Sequence, residues 1–468
     1  MPGERVCVCT PAPCGVRPCP RVSPLSVPGS MSTVWLHVGQ CGNQLGQEWW
    51  RLVTERPGLD KTADRYPYRG RDGKLAAVCV DSEPKVLRAT QKLVQGGSLR
   101  ESNVIAGQGG RGSNWAYGYH GQRGEGERGL LQRAMESVRL EAERSDCYCG
   151  TVLFHSLSGG TGAGLGARLC EKIREEFPAG HILSVSVAPH QSGESPLQHY
   201  NTLLSLAALH SSADGLLLFH NDEALSQALA VQTRGRAGPP GAPAQTSLAA
   251  MNLHISSCLG GLLLPVHSLT TASGLSLGLE PWELLRSVCP LPAAKLLHTS
   301  QACSSDATPW ESLASSSLKT VPPNSPCGEP YHSRAVLAVA RGDRDGSFLL
   351  HAPRILHNLR QGHRCVPWNP FPVDYWTDPR SVLRRHPSPS SRSLTVCSNH
   401  SGAAALLRRV DERVRVMLHS RAYLHWYQRY GCEESDFLQA LDTLKTVEQE
   451  YSVGARGLSV GDTRGVGI

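Results

Sequence analysis

Residues Thr151–Gly164 read TVLFHSLSGGTGAG. Thr151–His155 is a β-branched and aliphatic run. The loop Ser158-Gly159-Gly160-Thr161-Gly162-Ala163-Gly164 follows it and opens a helical pattern that continues to Phe177. Glycine lets the backbone turn its N–H groups inward and lets a phosphate approach where a Cβ would stand. A helix N-terminus behind such a loop adds unsatisfied donors and the positive end of the helix dipole. Thr161 adds a hydroxyl. The stretch therefore predicts strand, phosphate loop and helix, with a di- or triphosphate as ligand. The alternative is a tight turn without a ligand, but one turn does not need four glycines.

Two other glycine-loop chemistries fit less well. A Walker loop needs Gly-Lys-Ser/Thr at its end, and the one Gly-Lys in the chain, Gly73-Lys74, is followed by Leu75. A dinucleotide fingerprint is formally present as Gly162-x-Gly164-x-x-Ala167, but it calls for an acid about 20 residues on at a strand end. The next strand ends at Val187, and the acid beyond it is Glu194.

Strand-like runs at Thr33–Val38, Ala76–Val80, Ile182–Val187 and Gly215–Phe219 flank this unit. Helical patterns lie between, as in Glu125–Arg144 and in a helix with Ser195 as N-cap and Pro196 in its first turn. This alternation predicts a parallel sheet covered on both faces, with its ligand crevice at the carboxyl ends of the strands. Three further polar loops follow strands there: Gly39–Gln44, Asp81–Pro84 and Gly109–Trp115.

The rest of the chain is less regular. Arg234–Gln245 is a Gly/Pro-rich loop, and Ser300–Pro330 and Asp378–Arg392 read as irregular Ser/Pro-rich insertions. Helices return at Ala403–Tyr423, read as one helix, and at Glu434–Tyr451. Met1–Ser30 carries Cys7, Cys9, Cys14 and Cys19 among prolines, reads as a disordered extension, and fits no common zinc spacing. The folded domain is expected to begin at Met31.

The chain has 468 residues, 40% apolar and 19% charged, which is enough for a substantial core. No run of about 18 apolar residues appears, so no membrane span is expected. The 16 cysteines are scattered and fit reduced thiols better than a disulfide framework. A net charge of +7, from 47 basic and 40 acidic residues, is too dilute to indicate nucleic acid.

Taken in order, these motifs resemble the tubulin superfamily over about Met31–Tyr451. Gly39–Gln44 is similar to its first nucleotide loop and Ser158–Gly164 to its phosphate signature. Gly112–Trp115, Asn221–Leu225 and the C-terminal Arg421–Tyr427 (RAYLHWY) are also similar. Val80–Val86 and Asn114–Tyr119 resemble the delta or zeta members more than the others.

The resemblance implies an α/β fold: a Rossmann-like parallel-sheet GTPase domain, a core helix, an α+β intermediate domain and C-terminal helices. It divides the chain as a 1–30 extension, 31–250 nucleotide-binding domain, 251–397 intermediate domain, 398–453 helical domain and 454–468 tail. It also implies GTP or GDP with Mg²⁺. Gln40 and Cys41 would line the nucleotide. Gly159, Gly160, Thr161, Gly162, Ala163 and Gly164 would hold phosphates, and Ser156 would sit on the sugar or base side. Asp81 and Glu83 would approach Mg²⁺, often through water. Gly112, Ser113 and Asn114 would meet the terminal phosphate, with turn capping as the alternative.

Glu194 and Gln198 would face the ribose, and Asn221, Asp222 and Asn252 the guanine. Leu248 replaces a stacking tyrosine, a loss of about 1–3 kcal/mol by analogy with base stacking. Glu283, with Glu280 nearby, falls where an acid would act in trans on a neighbour's nucleotide. The resemblance further implies other tubulins and centriolar or microtubule components as partners, in the cytoplasmic cytoskeleton at centrosome, centriole or ciliary basal body. Neither nucleic acid nor a membrane is an expected partner. Residues 455–468 contain only Asp462 as an acid, so the acidic tail of the alpha and beta members is not expected.

Overall fold

Successive residues of the first strand face opposite sides of the sheet, and that alternation builds both layers of the molecule. Val34, Leu36 and Val38 enter one core and Trp35 the other. The computed structural model describes residues 31–54, 68–70, 72–121, 129–145, 147–190, 193, 195–234, 247–266, 280–304, 308–325, 328–382 and 391–453.

The first half contains β1 (Met31–Val38), α1 (Gly39–Thr54), β2 (Ala77–Asp81), α2 (Gln91–Gln95), β3 (Val104–Ala106), α3 (Trp115–His120) and α4 (Leu130–Glu143). Next come β4 (Cys147–Ser156), a π-helical turn (Thr161–Leu165), α5 (Gly166–Glu176), β5 (His181–Ala188), α6 (Gln198–Ser212), β6 (Gly215–His220) and α7 (Asn221–Arg234). The second half contains α8 (Leu248–Leu263), α9 (Glu283–Val288), β7 (Leu296–Ser304), α10 (Trp310–Leu318), β8 (Ser333–Arg341), α11 (Ser347–Gly362), β9 (Val373–Asp378) and β10 (Arg392–His400). It closes with α12 (Ala404–His419), α13 (Leu424–Gln428) and α14 (Glu434–Val453).

Among the described residues ten strands form one sheet, in the order β3-β2-β1-β4-β5-β6-β7-β10-β8-β9. It is parallel from β3 to β7, and β10 then runs antiparallel to both β7 and β8. On one face lies a core built with α4, α5, α6, α12 and α14, and on the other a core built with α1, α8 and α9. A third core joins α10 and α11 to β8 and β10. From β1 the chain moves to β2 and β3 on one side, and from β4 to β5, β6 and β7 on the other. This reversal between β1 and β4 is where a doubly wound sheet opens its ligand crevice.

Several expectations need correction. Ser300–Pro330 is not an irregular insertion, because β7 and α10 occupy much of it and bury Ala302, Trp310 and Leu313. Ser/Pro composition hid these elements because only one side of each is apolar. Of Asp378–Arg392, the two ends belong to β9 and β10, and 383–390 lie outside the described residues. The single helix expected over Ala403–Tyr423 stops at His419. Arg421 and Tyr423 take left-handed backbone angles, φ 52° and 57°, and α13 starts in a new direction. Before α6, Ser195 Oγ accepts the Leu197 N–H in a turn, and the helix proper starts at Gln198. The 1–30 extension, the 454–468 tail and the Arg234–Gln245 loop beyond its first residue fall outside the described residues.

Candidate nucleotide site

Two loops meet at the β1/β4 switch point because neither carries a side chain where they touch. Gly39 has φ +76°, and a Cβ there would stand 2.7 Å from Gly162 N. Asn43, one turn into α1, donates through Nδ2 to Gly39 O and to Val80 O, both at 2.9 Å, and so ties the first loop to the end of β2. Gln40 is exposed and Cys41 half-buried at the head of α1.

At the end of β2, Asp81 is 3% exposed. Its Oδ1 accepts the Glu83 N–H at 3.1 Å, while its buried Oδ2 has no protein partner. Burial, opposed by that N–H and reinforced by the Glu83 charge, raises the carboxyl to about 6. Ser82 Oγ lies 2.6 Å from Thr161 Oγ1, which joins the β2 loop to the glycine loop. Ser156 Oγ faces the same loop, 3.4 Å from the place of a Cβ on Gly159.

The glycines divide into two groups. A Cβ on Gly164 would stand 2.1 Å from Trp115 O, so this glycine serves the close packing of α3 on the π-helical turn. Gly159, by contrast, borders the Ser156 hydroxyl. Gly160, Gly162 and Ala163 complete the turn, all three buried. His155, fully buried beneath it, holds this turn to the sheet. Its Nδ1 lies 3.1 Å from Gly162 O, and its Nε2 lies 2.8 and 3.0 Å from the Ser184 and Ser186 hydroxyls. A carbonyl only accepts, so Nδ1 carries the proton and Nε2 receives from the serines. Burial lowers this imidazole to about 4, so it stays neutral.

Gly112 and Ser113 both adopt left-handed angles before α3. The Asn114 side chain bonds protein groups on both of its ends. Its Oδ1 caps Tyr117 N at 3.1 Å, and its Nδ2 donates to Trp426 O at 3.0 Å. The capping alternative is therefore the one realised for this side chain.

Other positions lie farther along the sheet edge. Glu194 falls outside the described residues. Gln198 is buried and directs Nε2 toward His190 O at 3.4 Å. Asp222, next to Asn221 at the head of α7, pairs through Oδ1 with His190 Nδ1 at 2.9 Å. Asn252 is half-buried on α8, which packs against α7, and Leu248 is 61% exposed. Glu283 lies far along the chain from the crevice loops, in α9. It starts α9 at 7% exposure, and neighbouring Glu280 accepts the Trp282 indole N–H at 2.5 Å.

Sequence reading gave no sign of the residue that gathers these loops. Asn201, fully buried on α6, donates from Nδ2 to Ser113 O and Ser158 O, each at 2.7 Å. Its Oδ1 accepts Trp115 N–H at 2.9 Å and Tyr427 Oη at 2.7 Å. A single Asn in a helix is a common polar residue, and nothing local marks it.

Residues 32–228 match the model of the Tubulin/FtsZ family, GTPase domain. The match covers the first half of the fold, from β1 into α7. A nucleomorph tubulin beta chain of Guillardia theta is 27% identical over 89% of this chain and 95% of its own length. A tubulin beta chain of Cicer arietinum and a tubulin beta-3 chain of Zea mays are each 29% identical over 89% of this chain and 94% of theirs. The match agrees with the α/β fold expected from the sequence. A match to a GTPase domain implies GTP or GDP as ligand. No helix among the described residues is long and apolar enough to cross a membrane.

Proposed function

We propose that this chain is a cytoskeletal member of the tubulin superfamily that binds a guanine nucleotide with Mg²⁺ at the β1/β4 crevice and uses it to order a surface that docks other tubulins. The observation that carries this reading is Asn201. One side chain fixes the loops on either side of the crevice, at Ser113 and Ser158, and also holds Tyr427 of the C-terminal helical region. Loops stiffened by a terminal phosphate therefore stiffen the α13 surface through direct hydrogen bonds.

The donor set suits the ligand. Backbone of the Gly159–Gly164 turn and the Thr161 and Ser156 hydroxyls would receive phosphate and sugar, with Gln40 and Cys41 beside them. Asp81 and Glu83 supply hard oxygens suited to Mg²⁺, which keeps several waters. The orphaned Asp81 Oδ2 fits such a cation or one of its waters. Bound Mg²⁺ would offset charge on the phosphates.

Within the superfamily we assign the chain to the delta or zeta type, from Val80–Val86 and Asn114–Tyr119, and thus to centrioles, basal bodies or cilia. Identification of the nucleotide and of the tubulins that co-purify with the chain tests both parts. Recovery of guanine nucleotide with other tubulins supports the reading. A nucleotide-free chain that still binds tubulins would make it a scaffold.

A further inference from the structure

The start of β4 carries an irregularity with chemical consequences. Ser32 pairs with Tyr148 and Thr33 with Gly150, so Cys149 is the extra residue of a β-bulge. In a regular strand, side chains two apart stand side by side without touching. Here the bulge turns Cys147 and Cys149 toward each other, and their sulfurs lie 3.9 Å apart, with the Cys149 S–H directed at Cys147 Sγ. The backbone between them is held firmly. The Tyr148 ring packs on Phe177 with 4.7 Å between centroids, and its hydroxyl bonds Thr151 Oγ1 at 2.8 Å. A Cβ on Gly150 would stand 2.3 Å from His181 O, so β5 locks the far side of the bulge.

We propose that Cys147 and Cys149 form a redox-active dithiol, oxidised by hydroperoxides to an intrastrand disulfide. Both residues are half-buried, so part of each reaches solvent. Cys79 and Cys170 are buried instead, and burial raises their thiols to about 12 and so withholds their thiolates.

One thiolate attacks a peroxide oxygen, the O–O bond breaks, and a sulfenic acid forms as the leaving oxygen departs as water or alcohol. The second sulfur attacks the sulfenic sulfur, the S–S bond forms, and hydroxide leaves with the thiol proton as water. Each sulfur loses one electron and the peroxide gains two. The sulfurs must close from 3.9 Å to about 2.05 Å within a short ring. Such a strained bridge has a relatively oxidising potential, so a thioredoxin-type dithiol reverses it. It is a reversible mark at one end of the strand whose other end leads into the glycine loop.

The full chain is treated with hydrogen peroxide, the remaining thiols are alkylated, and tryptic peptides are weighed. The peptide spanning 145–168 contains these two cysteines and no others. The expected result is a loss of two hydrogens on that peptide, with no alkylation, restored by thioredoxin and abolished by Cys149→Ser but not by Cys170→Ser. Sulfinic or sulfonic acid at either position, a bridge to another cysteine, or alkylation at both would overturn the proposal. A second measurement needs no variant. Phenylarsine oxide, which requires two adjacent thiols, should bind the native chain and protect the 145–168 peptide from oxidation; failure to protect it would also overturn the proposal.

Discussion

Tyr427 Oη donates to Asn201 Oδ1 across 2.7 Å, a hydrogen bond between residues 226 positions apart that joins the C-terminal helical region to the loops of the crevice. All four hydrogen-bonding positions of the Asn201 amide are filled. Asn201→Leu strands two carbonyls, one N–H and one hydroxyl, and an unsatisfied buried group costs about 1–3 kcal/mol. Loss of at least about 2 kcal/mol in urea unfolding is expected. Tyr427→Phe removes one bond and should cost about 1 kcal/mol. Under the proposed function Tyr427→Phe also weakens nucleotide retention, measured by filter binding, although the residue lies outside the crevice. An unchanged retention would break the link between α13 and the nucleotide.

Gly39 tests the contact between the two glycine loops. Alanine there would hold a left-handed backbone at about 1–3 kcal/mol and press its Cβ against Gly162 N at 2.7 Å. Gly39→Ala should lower the thermal midpoint and abolish nucleotide binding together. Gly73, also left-handed but with open space around it, is the control: Gly73→Ala should show the backbone cost alone.

Asp81 sets a pH dependence. Burial first, and then the Glu83 charge, raises its carboxyl from 3.8 to about 6 in the folded protein. The native state thus holds this proton more tightly than the unfolded chain between about pH 4 and 6. Stability from this group is therefore lost as pH rises through 6. Asp81→Asn should stabilise the nucleotide-free protein at pH 7 and have little effect at pH 4, as read by denaturant titration. Mg²⁺-dependent nucleotide affinity should fall as pH drops through 6 in the native chain and show no such step in Asp81→Asn. A step of equal size in both proteins would remove Asp81 from the cation site.

Glu283 should behave as a structural residue. Its burial at the head of α9 predicts that Glu283→Ala costs roughly 1–3 kcal/mol yet leaves phosphate release in assemblies unchanged. A selective loss of release upon assembly, with normal stability, would return the carboxylate to a catalytic role in trans.

Periodicity and turn chemistry made the first half of the fold legible. β1, β2, β4, β5 and β6 are near-continuous apolar runs because both faces of the sheet are covered, and such runs can be read without partners. The glycine loop was legible because its backbone requirement is local. β7 and α10 were obscured because serine-rich segments reveal their one apolar side only when the third core closes over it. The break at Arg421 and Tyr423 was hidden for a related reason. Nothing local favours a left-handed Tyr, and the angle persists because α13 must bring Tyr427 to Asn201.

The sequence by itself determined the order of β1, β2, β4, β5 and β6, the place of the phosphate loop and the family resemblance, since each rests on neighbours along the chain. Only the tertiary structure decided which neighbours the polar groups meet. Asn114 caps α3, Asp222 holds His190, and Glu283 is buried, while Ser82 meets Thr161 and Asn201 joins three separate segments. Hydrogen-bond valence and burial depend on what the fold places within about 3 Å, and no spacing along the chain encodes that distance.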